Sequence, residues 1–566
     1  MTMYISYLDR LPVEILHHIL DNLDTQTILF SFRFACKRFH SIANSYNYYD
    51  FNFESISKTK FLHMCCIIPF EQVVALTLSD KDNTHGQIKV FNSLFNINQF
   101  IRLRSLTLIQ IETHDLKVFL NYAIRSSLLF LSIDCQTTRI HEENTALNLI
   151  SSTIEHCSLK KLNLNMRPTD MKELRWPLNL TISYLRIKNS ITCDQFYTVL
   201  QHSPCLQTII LKDFNVDDTS EKNLPCFNHA PFLQIKSLTC EDGRIQINKL
   251  EQCLTLTPAL VYLKLIGCGN LFCSTFDGYR WEQLIKNKLP LLEKFDFLIS
   301  AFTHVNFDTS TVEQMISSFR TSFWVDEKHC LVTCDYIICS HKLLLYTLPL
   351  CTDHFVYYNT DTRKVSAKNF TLTNNYSTMM DNAKKLHLHL TKFSNVDEID
   401  KVNHLLFRNV TAPTIATNGG WPDDSFRFFS TIIDLSPIET LSLSIRFIDE
   451  YIPIIVHNIN QALKCSPNIY VLSLHNLWSA DNFASTVETI YSMITPNIKY
   501  LDIRVQNSDD VKFIIENFEN LKDITFEYVQ NLILNRGKFI EVLSDMKRHV
   551  SRWESHCAFH VWLDKA

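Results

Sequence analysis

The chain has 566 residues, of which 46% are hydrophobic and 20% charged, with a formal net charge of −5. That balance supplies a large folded core and excludes a strongly basic, nucleic-acid-binding chain. Glycine is scarce, at 8 residues, which leaves little from which to build the glycine-rich loops that cradle phosphates.

The 18 cysteines are dilute and sit mostly at apolar positions of periodic segments, where free cysteine behaves as a small hydrophobe. The N-terminal MTMYISYLDRLP has neither the basic stretch nor the apolar run of a signal peptide. No apolar run is long enough to span a membrane. A reducing compartment, cytosol or nucleus, is expected.

The first element is LPVEILHHILDNL from Leu11. Pro12 suits the first turn of a helix. Ile15, Leu16, Ile19, Leu20 and Leu23 then fall on one apolar stripe. Asp24 can cap a second helix, with Ile28, Leu29, Phe32 and Ala35 as its buried face. A third short helix carries Phe39, Ile42 and Ala43. Three helices this short are marginal alone and must pack on the rest of the chain or on a partner.

LPVEILHHILDNL, a spacer and ACKRFHSIA together resemble an F-box. The resemblance rests on Leu11, Pro12, Glu14, Ile15, Leu16, Ile19, Leu20 and Leu23, then on Cys36, Lys37, Arg38 and Phe39, and covers residues 8–47. It departs at Val13, where an acidic residue is common. In that family the module docks on the Skp-family adaptor of a cullin-RING ubiquitin ligase. The resemblance therefore implies that these residues bind the adaptor, with the leucine–proline pair and the following helix forming much of the contact. The bland alternative is a helical cap on a solenoid, because end repeats must hide their apolar faces.

A hexamer then recurs: apolar, two variable, apolar, one variable, apolar. It appears as VVALTL from Val73, LRSLTL from Leu103, LLFLSI from Leu128, LKKLNL from Leu159, ISYLRI from Ile182 and LQTIIL from Leu206. IKSLTC from Ile235, LVYLKL from Leu260 and LEKFDF from Leu292 follow. From Val73 onward the starts are 23 to 32 residues apart, near the spacing of a leucine-rich repeat. The pattern vanishes for roughly ninety residues and resumes as AKKLHL from Ala383, IETLSL from Ile438, IYVLSL from Ile469, IKYLDI from Ile498 and LKDITF from Leu521. Proline often precedes it, as in SPCLQ and TPNIK, ending the preceding helix and setting an extended entry.

The expected fold is α/β. A leucine-rich-repeat solenoid, with parallel strands on the concave face and helices outside, follows an N-terminal three-helix F-box. The expected domains are the F-box-like module (8–47), the first half of the solenoid (48–318), a β-rich insertion (319–370) and the second half (371–566). The insertion is aromatic and β-branched, and reads as two or three hairpin-like strands, either an inserted β element or a break between two solenoid halves, with packing on the solenoid edge favoured over binding a partner.

No catalytic motif occurs. His329, Cys330, Cys334, Cys339 and His341 cluster in the insertion, but cysteines spaced evenly along a strand simply face one core, so no metal is expected. Cys268 and Cys273 flank a plausible turn without a histidine partner. His387 and His389 share one strand face, read as solvated rather than catalytic.

The functional expectation is a non-catalytic, substrate-recruiting ligase subunit without cofactor, nucleic-acid or membrane partner. It would hold the Skp-family adaptor through the module and an unknown target protein through variable hexamer positions. Those positions are Lys160, Lys161, Asn163, Ser183, Tyr184, Arg186, Tyr262, Lys264, Tyr470, Lys499, Tyr500 and Asp502. Their mixed charge argues against one dominant ionic ligand. The alternative is an interaction scaffold whose F-box-like segment is only a cap.

Overall fold

A computed structural model describes residues 8–563, apart from 82–83, 85, 136–143, 215–229, 246, 270–275, 304–307, 359–361, 367–378, 391–405, 418–424, 445–451, 476–494, 506–507, 519, 529–540, 544–549 and 555–557. The chain divides into two compact units, Met1–Lys222 with Gln234–Lys236, and Asn223–Leu233 with Ser237–Ala566.

The first unit carries β1 (Tyr49–Asn52), β2 (Val73–Ser79), β3 (Ser105–Ile109), β4 (Phe130–Asp134), β5 (Lys161–Asn165), β6 (Tyr184–Ile191) and β7 (Thr208–Phe214). Each pairs in parallel with the next, in sequence order. Parallel neighbours need a crossover between them. Helices supply several of these, such as Thr113–Arg125 between β3 and β4, which buries Leu116, Phe119, Leu120 and Ala123.

The second unit carries β8 (Ser237–Ile245), β9 (Tyr262–Gly269), β10 (Lys294–Phe302), β11 (Leu331–Ile337), β12 (Lys342–Leu348), β13 (His354–Tyr358) and β14 (Thr362–Ser366). It continues with β15 (Lys385–Leu390), β16 (Ala412–Thr417), β17 (Thr440–Ser444), β18 (Val471–His475), β19 (Tyr500–Val505), β20 (Asp523–Tyr528), β21 (Val550–Glu554) and β22 (Ala558–Leu563). β8, β9 and β10 run parallel. The hairpin of β11 and β12 then adds antiparallel to β10, and β14 adds to β11. β13 leaves for a nine-stranded sheet in the order β13-β15-β16-β17-β18-β19-β20-β22-β21.

One hydrogen-bond device recurs through both units. From Leu103 onward every hexamer enters its strand at its third residue. The residue before that strand offers its carbonyl to two successive N–H groups of the next repeat. Arg104 accepts from Leu129 and Phe130, Leu129 from Lys160 and Lys161, and Lys160 from Ser183 and Tyr184, all at 2.8 to 3.1 Å. In the second unit Glu439 accepts from Tyr470 and Val471, and Tyr470 from Lys499 and Tyr500.

The device exposes two repeats that sequence spacing overlooks. Asp353 accepts from Lys384 and Lys385, and Lys384 from Thr411 and Ala412. They begin β13, within TDHFVY, and β16, within VTAPTI. The first replaces the leading apolar residue by Thr352. The second has Pro413 where a leucine was sought, and Pro413 lies before the stretch of β16 that pairs with β17. A proline without an N–H is tolerated where it has no ladder bond to donate.

Apolar positions alternate inward along many of the parallel strands, such as β3, β5 and β17. Leu106, Leu108, Leu162, Leu164, Leu441 and Leu443 are all buried, each such side chain contributing about 1.5–3 kcal/mol when fully covered. The aromatic start of the insertion is buried. Phe319, Phe323 and Trp324 pack on one another and on Phe295 and Phe297. No helix among the described residues is long and apolar enough to cross a membrane.

Candidate functional site

The N-terminal module is built from α1 (Val13–Leu20), a single turn α2 (Thr25–Thr27), a π-helical stretch Ile28–Phe32, α3 (Arg33–Ala35) and α4 (Lys37–Ser45). Pro12 is the residue capping α1, with extended ψ of 152°, one position before the expected first turn. Asp24 caps α2 as expected, accepting from the Thr27 N–H at 2.8 Å. Its carboxyl is held below the ordinary range, chiefly by the bond from the Thr27 side chain. Cys36 caps α4 through its sulfur, which accepts from the Phe39 N–H at 3.4 Å.

The predicted adaptor set separates into two layers. Leu16, Leu20 and Phe39 are buried inside the module with Ile28, Leu29, Ile42 and Ala43. Phe39 also stacks on Phe32 at 4.5 Å. These residues hold the helices together. Pro12, Glu14, Ile15 and Lys37 are exposed, while Leu11, Ile19, Cys36 and Arg38 are half-buried. Ala35, expected on the buried face, is exposed instead. The π-helical stretch before it widens the turn to an i→i+5 register, which rotates later residues off the i, i+4 stripe.

The outer layer mixes charged and apolar side chains, several of the latter well exposed. Leu8 is 41% exposed, Val13 40%, Ile15 45% and Phe34 71%. The resemblance singled out only Ile15 of these four. Phe34 lies in the unmatched spacer, and Val13 departs from the family pattern. Arg38 draws the segment carrying Leu11 onto α4: its guanidinium donates to the Leu11 carbonyl at 2.6 Å and stands 3.7 Å from the Asp9 carboxylate.

The module is joined to the first strand by hydroxyls and rings. Thr25 Oγ1 donates to the Asp50 carbonyl at 2.5 Å, Tyr46 Oη to Asp21 Oδ1 at 2.8 Å and Tyr49 Oη to the Ala43 carbonyl at 2.6 Å. Rings then succeed one another from Tyr46 to Tyr49, Phe51, Phe53 and Phe61, with centroids 5.0 to 6.1 Å apart. Burial pushes the Tyr49 hydroxyl up to about 12. His17 lies edge-on to Tyr46 at 5.7 Å, and His18 is exposed beside Asp21 at 3.4 Å.

The predicted target-binding positions fall into separate groups. Lys160 and Lys161 at the start of β5 are exposed. Lys161 stands in register with Tyr184 of β6, and Asn163 with Arg186, while Ser183 precedes the same strand. These six lie together. Tyr262 and Lys264 belong to the second unit, where Tyr262 Oη donates to Asp296 at 3.0 Å and Lys264 faces Glu241 at 3.9 Å. Burial, with Asp296 beside it, raises the Tyr262 hydroxyl above its ordinary range. Tyr470 and Tyr500 meet edge-on at 5.9 Å, Asp502 lies opposite Ser473, and Lys499 donates to the Pro496 carbonyl at 2.7 Å.

The residues weighed as metal ligands are dispersed. Cys330 and Cys334 are buried, and burial pushes the Cys330 thiol up to about 12 and Cys334 higher still. His341 closes the hairpin of β11 and β12 in left-handed backbone, with its Nδ1 3.3 Å from Tyr336 Oη. Cys268 is exposed; Cys273 and the side chain of Cys339 lie outside the described residues. Among the described residues no group of three or more His, Cys, Asp or Glu side chains could hold a metal ion. His387 and His389 are half-buried and stacked at 4.5 Å, with Tyr358 stacked on His389 at 4.6 Å.

No curated protein matches the chain. Residues 8–51, the module together with the start of β1, match the F-box domain family.

Proposed function

We propose that the chain is a substrate-recruiting subunit of a Skp-cullin-F-box ubiquitin ligase. Its F-box holds the Skp-family adaptor, and degenerate leucine-rich repeats hold a target protein. The observation that carries this reading is the F-box match over residues 8–51, on a module whose core is filled and which leaves Leu8, Val13, Ile15 and Phe34 exposed. Covering a side chain such as Phe34 contributes about 2 kcal/mol.

The repeat assignment is supported by the strand that begins at the third residue of nearly every hexamer and by the shared carbonyl that links each repeat to the next. The subunit contributes positioning and no chemistry of its own. It works in the cytosol or nucleus, where its cysteines stay reduced.

Co-purification of the full chain with a Skp-family adaptor tests the reading, beside Ile15→Glu and Phe34→Ala variants. Capture that both variants lose, with unchanged melting curves, is the expected result. A well-folded wild-type chain that brings down no adaptor would make the module a solenoid cap alone.

A further inference from the structure

The outward face of β5, β6 and β7 is basic in a chain whose net charge is −5. It carries Lys161, Arg186, Lys188 and Lys212, with Lys160 at the entry to β5. Register sets Lys161 beside Tyr184 and Arg186 beside Asn163 and Ile210. Strands lie about 4.8 Å apart and alternate residues about 6.6 Å along a strand, so the backbone positions of these cations fall within roughly 20 Å. The one carboxylate residue in the three strands is Asp213, paired with Ser190, and its side chain lies outside the described residues. The adjoining β4 contributes Asp134, opposite Asn165.

Lys160, Lys161 and Lys188 are exposed and make no ion pair among the described residues. The corresponding positions in the second unit behave otherwise. There Lys264 faces Glu241 at 3.9 Å and Lys294 faces Asp296 at 3.1 Å. The mixed charge of the sequence-predicted positions therefore resolves once they are placed. Its one carboxylate, Asp502, lies on β19 in the second unit, whereas the described charged side chains of β5–β7 are all cationic.

We propose that this face binds an acidic segment of the recruited protein, rich in aspartate, glutamate or phosphorylated residues. The proposal rests on the receptor reading above and names the chemistry of its target. Clustered cations of one sign raise the local concentration of an anionic partner and orient its approach. Nucleic acid fits less well. Its backbone-driven affinity grows with the number of phosphates neutralised, whereas the cations here are confined to three strands.

The test uses full-length chain and three labelled peptides of equal length. One is glutamate-rich, one carries phosphoserine at the same positions, and one carries glutamine. Fluorescence anisotropy of the wild type is compared with a Lys160→Glu/Lys161→Glu/Lys188→Glu variant, and adaptor co-purification is followed on both. The expected result is capture of both anionic peptides, weakened by salt. The variant loses roughly tenfold or more in affinity, with melting curve and adaptor capture unchanged. Equal binding by the variant, or equal binding of the glutamine peptide, overturns the proposal. So does a single-stranded RNA oligonucleotide that binds more tightly than both anionic peptides. Peptide capture by a chain that holds no adaptor supports the basic face while overturning the receptor reading, so the two failures are distinguishable.

Discussion

Arg38 reaches across 27 residues of sequence to donate to the carbonyl oxygen of Leu11 at 2.6 Å. The bond ties the segment before α1 to α4, and so fixes Leu8, Leu11 and Pro12 relative to the helices behind them. A hydrogen bond from a charged donor is worth about 1.5–3 kcal/mol, and a part-exposed one less.

Arg38→Ala therefore weakens adaptor binding by about tenfold and leaves the melting temperature nearly unchanged. Arg38→Lys recovers only part, because an ammonium lacks the planar fork that serves Leu11 and Asp9 together. Titration calorimetry against purified adaptor checks this. Equal affinities for the three proteins would remove Arg38 from the positioning of that segment.

Gly278 opens the helix Gly278–Lys288 under close constraint. A Cβ there would stand 2.5 Å from the Ser318 carbonyl oxygen and 2.9 Å from the Phe319 ring. The backbone cannot withdraw freely, because its N–H donates to Ser318 Oγ at 2.8 Å and its carbonyl accepts from Trp324 Nε1 at 3.2 Å. Gly278→Ala should cost about 1–3 kcal/mol through overpacking. Thermal denaturation should show a lower midpoint, and tryptophan fluorescence should shift because Trp324 is a direct partner. An unchanged midpoint would show that the contact relaxes.

His387 and His389 give an acid limb to stability. Burial lowers the affinity of both for protons, reinforced at His387 by His389 and His354, and at His389 by Lys342. With folded values below the ordinary 6.5, the unfolded chain binds more protons than the folded one. The stabilisation is full above 6.5 and declines as pH falls through the folded values. Urea unfolding on either side of 6.5 should show a lower midpoint on the acid side. A His387→Gln/His389→Gln variant should flatten that difference. An equally steep acid limb in the variant would place its origin elsewhere.

Much of the strand pattern was legible because alternation is local. In LKKLNL, the spacing of Leu162 and Leu164 alone puts both on one face, and both are buried. Thr352 and Pro413 hid two repeats, because hydrogen bonds from the following repeats define them and apolar spacing does not. In the module, the residue types pointed to the F-box, but the division into buried Leu16 and Leu20 and exposed Val13 and Ile15 did not follow from the stripe. Helix packing chooses which part of an apolar face is covered, and the π-helical stretch turned Ala35 outward.

The order of apolar and variable positions by itself determined strand entry, the recurrence of the repeat and the kind of module at the N-terminus. Each of these depends on residues only a few positions apart. Tertiary structure alone decided which charges share a face. Lys161 and Arg186 are 25 residues apart in sequence and become near neighbours only through the register of β5 with β6. The same holds for Leu11 and Arg38, since the hydrogen bond that joins them exists only once the intervening helices have packed.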